Sequence, residues 1–506
     1  MPHNSNDESN PPAWHERRIV LAIAGVLVAA TLLAGVIGGI HRGLADQPDW
    51  RSFAKESAYV WQHRTIPPWT AMFGYLPAAF FALWPFTVAM PRTAGVLAFV
   101  TANVAATILC LWVLYRWWFM PSIGCSDEST ASRRGNWRLF AWPLFLTAAH
   151  LQHALQANQL TIWLLLLSAT GLTLVMRRRE WAGGFLLGAA ACLKVTPMVL
   201  GAYLLLSRRW RAFLAMAAAV IVLDIVPSWI FLGGSGAAGA HRDWYERTRW
   251  FSAARLIEDP WLRVSRHGND KNCSVAVVLA RWLRAQPKGD RHVVVMGDVP
   301  PGVIDEARTR LADGEHLTID PMPPEGGGWS IERYEYADRS RFPRFSLADL
   351  PPRVVWWAWL MVMLTPAVLL SLHTLRATTG AGATAADRST AALWLLMAMW
   401  LSPMVRDYYL ALALPAVVVL CGLRLCPRSA EAVGKSRIIA SVGLVAFYAS
   451  TLLVGWNAGN WYGLHLLSIL VLGVATVSSS RSAGRRMTSL TGPPMKLRNR
   501  RRRASR

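Results

Sequence analysis

The chain has 506 residues, 53% of them hydrophobic, with 53 Lys and Arg against 30 Asp and Glu and a formal net charge of +23. Length alone allows about three soluble domains, but long charge-free runs exclude that reading. The six cysteines are scattered and form no CxxC pair, which excludes a disulfide or zinc framework.

Taken in chain order, residues 1–16 are polar and read as a disordered cytoplasmic N-terminus. Arg17-Arg18 then leads into an apolar run at 19–40 with no small-residue cleavage site, the pattern of a signal anchor. Further runs lie at 93–115, 138–155, 159–176, 211–232, 354–375, 407–423, 437–455 and 461–478, with shorter ones at 181–193, 195–206 and 390–404. A bilayer core takes roughly 20 apolar residues per helix. The fold class predicted is therefore all-α, a polytopic membrane bundle of about 12 helices, with 72–90 as a re-entrant or interfacial segment. Many of the 26 tryptophans sit at run ends, where aromatic belts form.

This divides the chain into a first membrane block at 17–232, with its first outer loop at 41–71, and a second block at 354–480. Between them, 233–353 reads as a long outer loop and a possible small cap. RHVVVMGDV at 291–299 suggests a short strand ending in a turn, and PMPPEGGGWS at 321–330 a loop. Residues 481–506 form a basic cytoplasmic tail.

The charge follows the same topology. With the N-terminus inside, the loops 116–138, 177–180, 207–211, 376–388 and 424–437 are all cytoplasmic and all net positive. The outer segment 233–352 has 17 basic and 17 acidic residues and cancels. The positive-inside rule thus accounts for most of the excess without a nucleic acid. The arginine-rich end, KLRNRRRRASR, has no interleaved aromatics for stacking on bases, and fits a disordered arm on anionic lipids.

On this topology the polar residues at span ends gather on the outer face. Asp46 and Asp49 follow the first run in LADQPDWRSF; His150, His153, Gln156, Asn158 and Gln159 fill the turn in HLQHALQANQL. Arg406, Asp407, Tyr408 and Tyr409 interrupt LSPMVRDYY, and Asn457 and Asn460 mark the last outer turn. Lys194, in CLKVTP, breaks an apolar stretch where an ammonium is costly. Pro197 breaks the helix beyond it, which opens room for a polar pocket suited to an anion. Asp224, in VIVLDIVPS, is a second intramembrane charge, and pairing, capping near Pro227 and function are all open for it.

The order of these motifs resembles glycosyltransferase family 87, membrane enzymes of the GT-C superfamily that include polyprenyl-phosphate-mannose-dependent α-mannosyltransferases. The resemblance rests on the Asp-aromatic pair after span one, GYLPAAFFALWPFTVAMP, ALQANQLTIWLLLLSA, GGFLLGAAACLKVTPMVLGAYLLLSRRWRA, NDKNCSVAVVLARWL and WLSPMVRDYYLALALP, over about 19–284 and 354–425. The family's tandem prolines are a single Pro77 here, its Gly-Gln is Asn158-Gln159, and 285–350 lies outside its pattern.

The resemblance implies a GT-C bundle that moves a hexose, mannose by preference, from a polyprenyl-phosphate sugar to a glycan or lipid acceptor. The acceptor lies at the outer face of the cytoplasmic membrane, with both termini inside. Asp49 matches the catalytic carboxylate and would act as general base, with inversion. Lys194, Arg406, His150, His153, Gln159 and Tyr75 are the expected donor phosphate and sugar ligands. Asn158, Asp407, Tyr408 and Asn272 are supporting residues. No metal or other cofactor is required by this scheme. The stretch 52–62 reads as an amphipathic helix in the membrane interface, and Trp50 and Phe53 are expected as interface anchors that hold Asp49 at the depth of the lipid phosphate. The alternative reading is a secondary transporter or a lipid-linked-sugar flippase without transferase activity.

Overall fold

The computed structural model describes residues 14–45, 48–65, 75–123, 138–250, 257, 274–284, 291–296, 309, 316–320, 330–335, 347–378, 383–402, 407–425, 434–452 and 464–490. The chain is an all-α, multi-pass membrane protein with one small sheet in its long loop. The helices are α1 (Trp14–Leu44), α2 (Pro48–His63), α3 (Ala78–Thr87), α4 (Arg92–Val113), α5 (Ala141–Gln156), α6 (Thr161–Met176), α7 (Glu180–Leu193), α8 (Val199–Leu206), α9 (Trp210–Val220) and α10 (Val226–Trp250). There follow α11 (Val275–Leu283), α12 (Pro352–Thr378), α13 (Ala383–Trp400), α14 (Leu414–Leu425), α15 (Gly434–Leu452) and α16 (Leu464–Leu490).

Four stretches among the described residues are long and apolar enough to cross a membrane: Ile19–Leu44, Arg92–Ser122, Trp210–Arg242 and Pro352–Arg376. The other apolar helices are shorter, and α3 at ten residues is about 15 Å long, half a bilayer core. The long helices carry their apolar side chains outward: Ile19, Val26, Leu33 and Ile37 of α1 are exposed, as lipid-facing residues are. α13 is the opposite case. Every residue from Ser389 to Trp400 is buried, so this helix is the axis of the bundle. Its Trp394 donates to Thr374 Oγ1 of α12 at 2.9 Å.

Small residues set the helix spacing. Gly35, Gly39 and Gly43 form a stripe along α1 at four-residue intervals. A Cβ on Gly39 would stand 2.7 Å from the Leu155 carbonyl oxygen, and one on Gly35 would stand 2.9 Å from that of Gln152. In lipid, helix association is driven by close packing of this kind rather than by hydrophobic burial. The contact fixes α1 against α5, the helix that ends in the QANQ turn.

Three helices end in the same way. α5, α6 and α8 each finish with a Schellman turn, with Asn158 (φ 51°), Arg178 (φ 64°) and Arg208 (φ 56°) in the left-handed position. The paired bonds recur: Gln159 N to Ala154 O with Asn158 N to Leu155 O, Arg179 N to Leu174 O with Arg178 N to Val175 O, and Arg209 N to Leu204 O with Arg208 N to Leu205 O. These bonds satisfy carbonyls that a helix end leaves open. They also turn the chain sharply enough to pack α6 on α7 and α9 back on α7.

Two π-helical turns interrupt the long helices, at Leu114–Phe119 after α4 and at Ile221–Ile225 between α9 and α10. Gly233, at φ 76° and ψ 167°, breaks α10 where the apolar run ends. In the loop beyond, β1 (Arg291–Met296) pairs parallel with β2 (His316–Asp320) and antiparallel with β3 (Ser330–Glu335). The strand expected within 291–299 is thus present. At the far end, α16 runs through Leu490, ten residues into the stretch read from sequence as a basic cytoplasmic tail. Helix α1 starts at Trp14, inside the segment read as disordered.

Candidate active site

Asp49 is the second residue of α2. One turn on, Phe53 is 3% exposed, and Trp50 is 2% exposed. Both were expected to anchor α2 in the membrane interface; instead they belong to a buried cluster with Phe80, Leu83, Val96 and Phe99. The reason is the apolar floor that α3 and α4 present, on which α2 lies: the Trp50 and Phe99 rings are 5.3 Å apart. Glu56, on the same helix, is also 3% exposed. Its spacing along SFAKESAYVWQ would have flagged it, since it falls one turn after Phe53 on the buried face.

Phe53 meets the edge of the Tyr75 ring at 5.8 Å. The Tyr75 hydroxyl donates to Gln159 Oε1 at 3.0 Å. Above the Tyr75 ring, at 5.2 Å, stands the ammonium of Lys194, and this nitrogen lies 3.7 Å from the centre of the Tyr409 ring. Lys194 caps the C-terminal end of α7 in extended conformation (φ −156°, ψ 137°) and is 5% exposed. The local sequence explains the break: Thr196–Met198 form a 3-10 turn with Pro197 before α8 begins.

An ammonium at membrane depth costs about 2.5–3.5 kcal/mol. A desolvated aromatic face returns about 2 kcal/mol. Two tyrosine rings therefore offset most of the cost of holding Lys194 charged here. Five segments far apart in sequence, carrying Phe53, Tyr75, Gln159, Lys194 and Tyr409, meet at one end of the bundle. Tyr409 is the neighbour of the Tyr408 singled out from sequence. Both lie in a 3-10 helix, Asp407–Ala413.

The remaining sequence candidates divide. Asn158 is 2% exposed and donates from Nδ2 to the Gly39 carbonyl at 2.8 Å, tying α1 to the QANQ turn. His150 is fully buried with its ring near Phe447 (5.5 Å) and His465 (6.1 Å), so it packs toward α15 and α16 rather than into the Tyr75–Lys194 group. His153, one turn on along α5, is half-buried. Asp407 begins its 3-10 helix and Tyr408 follows it. Arg406, Asn272, Asp46, Asn457 and Asn460 lie outside the described residues.

Asp224 has a defined role in holding this region. It is 2% exposed on the π-helical turn, where Oδ1 accepts from the Ala78 amide at 2.8 Å. Its Oδ2 lies 3.0 Å from His241 Nε2, and His241 Nδ1 lies 2.8 Å from the Ala237 carbonyl oxygen. The π turn supplies the extra residue that brings a carboxylate to the first amides of α3. Of the readings left open by sequence, pairing is observed, with His241, and the amide that Asp224 caps is Ala78 of α3 rather than one near Pro227. The cap stabilises the helix start three residues after Tyr75.

Part of the chain matches a known family model. Residues 73–299 match the model of glycosyltransferase family 87. The family 87 stretch takes in Tyr75, Gln159, Lys194 and Asp224. It stops short of Asp49 and of Tyr409, and it runs on through β1, beyond residue 284 where the first of the two resembling stretches, 19–284 and 354–425, was expected to end. The chain is also similar to a polyprenol-phosphate-mannose-dependent alpha-(1-2)-phosphatidylinositol pentamannoside mannosyltransferase of Mycolicibacterium smegmatis, at 44% identity over 59 residues. That match covers 12% of this chain and 14% of the relative's length. No solved structure matches.

Proposed function

We propose that the protein is a membrane glycosyltransferase that moves a hexose from a polyprenyl-phosphate sugar to an acceptor hydroxyl at the outer face of the cytoplasmic membrane. The observation that carries this reading is the Lys194 ammonium, buried between Tyr75, which bonds Gln159, and Tyr409, beside the helix that bears Asp49. A cation held at the end of an apolar bundle suits the phosphate of a lipid whose chain stays in the membrane. The family 87 match and the mannosyltransferase relative support the reaction class and favour mannose.

In the proposed reaction the acceptor oxygen attacks the anomeric carbon while the bond from that carbon to the phosphate oxygen breaks. The hydroxyl proton passes to the Asp49 carboxylate, and the electron pair leaves on the lipid phosphate. A base must come within hydrogen-bond reach of the hydroxyl. The negative charge that grows on the phosphate is met by Lys194, as preorganised charge does at other developing anions. Direct displacement inverts the anomeric centre. Tyr75 and Gln159 would orient the sugar. The test is transfer of radiolabelled sugar from polyprenyl-phosphate mannose by the purified chain. Transfer that needs the lipid phosphate donor supports the reading; a folded chain that only moves the donor across vesicles contradicts it.

A further inference from the structure

Helices α6 and α7 lead from the Gln159–Lys194 end of the bundle to its opposite end, about 21 Å away along the 14 residues of α7. Here the two recurring Schellman turns, Arg177–Arg178–Arg179 and Ser207–Arg208–Arg209, come side by side. The Gly184 backbone packs so closely on the Ala212 carbonyl that no side chain fits between α7 and α9. Between the turns is a cavity of about 370 Å³, lined by Arg178, Glu180, Trp181, Arg208, Trp210 and Arg211.

The acids at this place are already engaged. Glu180 pairs with Arg209 at 3.2 Å, and Asp387 lies 3.8 Å from Arg209 on its other side. Burial holds the Asp387 carboxyl above its ordinary range, against the pull of Arg209, Arg388 and Arg178. Arg178, Arg208 and Arg211 are left with no carboxylate at ion-pair distance among the described residues, and all three are exposed. Trp181 and Trp210, each 58% exposed, stand at the first turns of α7 and α9. Indoles in that position mark the level of lipid headgroups. Three guanidiniums face a space at the same level.

We propose that this cavity binds the phosphodiester headgroup of an anionic phospholipid. Guanidinium forks match phosphate oxygens geometrically. The exposed indoles commit the site to a lipid rather than a free anion, since they place it beside acyl chains. The site is independent of the transfer reaction: it lies at the other end of α7 and uses none of its residues.

The test is native mass spectrometry of the full chain in detergent, titrated with phosphatidylglycerol and, separately, with phosphatidylcholine. The wild type should retain phosphatidylglycerol selectively, and millimolar inorganic phosphate should not displace it. Each basic residue near a membrane surface contributes about 1 kcal/mol, or about fivefold. The variant Arg178→Asn/Arg208→Asn/Arg211→Gln, whose asparagines tolerate the left-handed backbone, should bind at least about tenfold more weakly. Arg211→Gln alone, which leaves both turns intact, should cost about fivefold. Arg177, on the same turn but stacked on Trp117 at 3.7 Å, is the control, and Arg177→Gln should change nothing. Equal binding of both lipids, displacement by inorganic phosphate, or an equal loss in Arg177→Gln would each overturn the proposal.

Discussion

The Lys194 ammonium lies 3.7 Å from the centre of the Tyr409 ring, across 215 residues of chain. This contact joins the break between α7 and α8 to the 3-10 helix before α14. It fixes the position of the one cation that the proposed reaction uses to meet the leaving phosphate.

Replacing that ring separates its face from its hydroxyl. Tyr409→Phe keeps the aromatic face and should retain most activity. Tyr409→Leu removes it, and loss of about 1–2 kcal/mol of cation–π attraction should lower transfer about tenfold. Lys194→Met should reduce donor use more than acceptor use. Steady-state kinetics with each substrate varied in turn checks both; equal effects on the two substrates would mark Lys194 as structural.

The Tyr75–Gln159 bond lends itself to a double-mutant cycle. Tyr75→Phe leaves the ring under Lys194 but removes the donor to Gln159 Oε1. Gln159→Leu removes the acceptor. Each single change should lower thermal stability by about 1 kcal/mol, and the pair should cost less than the sum of the two. Additivity in the unfolding midpoints would show that the 3.0 Å contact contributes nothing.

Asp224 offers a charge-versus-bond comparison. Asp224→Asn retains an oxygen for the Ala78 amide and should be tolerated. Asp224→Ala leaves that amide and His241 without their common partner, at a cost of about 1–3 kcal/mol for the buried amide left unsatisfied. Unfolding in detergent, followed by circular dichroism, reads the difference. An Ala variant as stable as Asn would remove the cap from the account.

Gly39→Val tests the α1–α5 spacing. A Cβ there meets the Leu155 carbonyl at 2.7 Å and Asn158 Oδ1 at 3.1 Å, so the helices must part and the Asn158–Gly39 bond must stretch. Overpacking of this kind costs about 1–3 kcal/mol. Gly25→Val on the same helix, where a Cβ meets nothing within 4 Å, is the matched control and should be near neutral.

The membrane character and the principal runs were legible because apolar length is a strong signal. Lys194 was legible for the same reason: a charge inside such a run stands out. Gln159 stood out as a polar residue at a span end, and Tyr75 came with the family resemblance. What the sequence hid were features set by neighbours. Trp50 and Phe53 carry the composition of interface anchors, and only the floor made by Phe80, Val96 and Phe99 turns them inward. His150 sits in the same turn region as Gln159, yet its helix face sends it toward Phe447 and His465. Asp224 gave no sign of its target because Ala78 lies 146 residues earlier and a π turn sets the direction of the carboxylate. The local sequence RRRE at 177–180 reads as inside-loop charge; the cavity between it and Arg208 needs the α7–α9 contact to exist.

Asp49 is the residue on which the proposed chemistry turns. The most direct measurement is the transfer rate of purified Asp49→Asn with radiolabelled polyprenyl-phosphate mannose, on protein shown to be folded by its unfolding midpoint. Loss of a general base costs about 10²–10⁴-fold, so the account predicts a drop of that size with the midpoint unchanged. A folded Asp49→Asn protein that transfers sugar at the wild-type rate would contradict it.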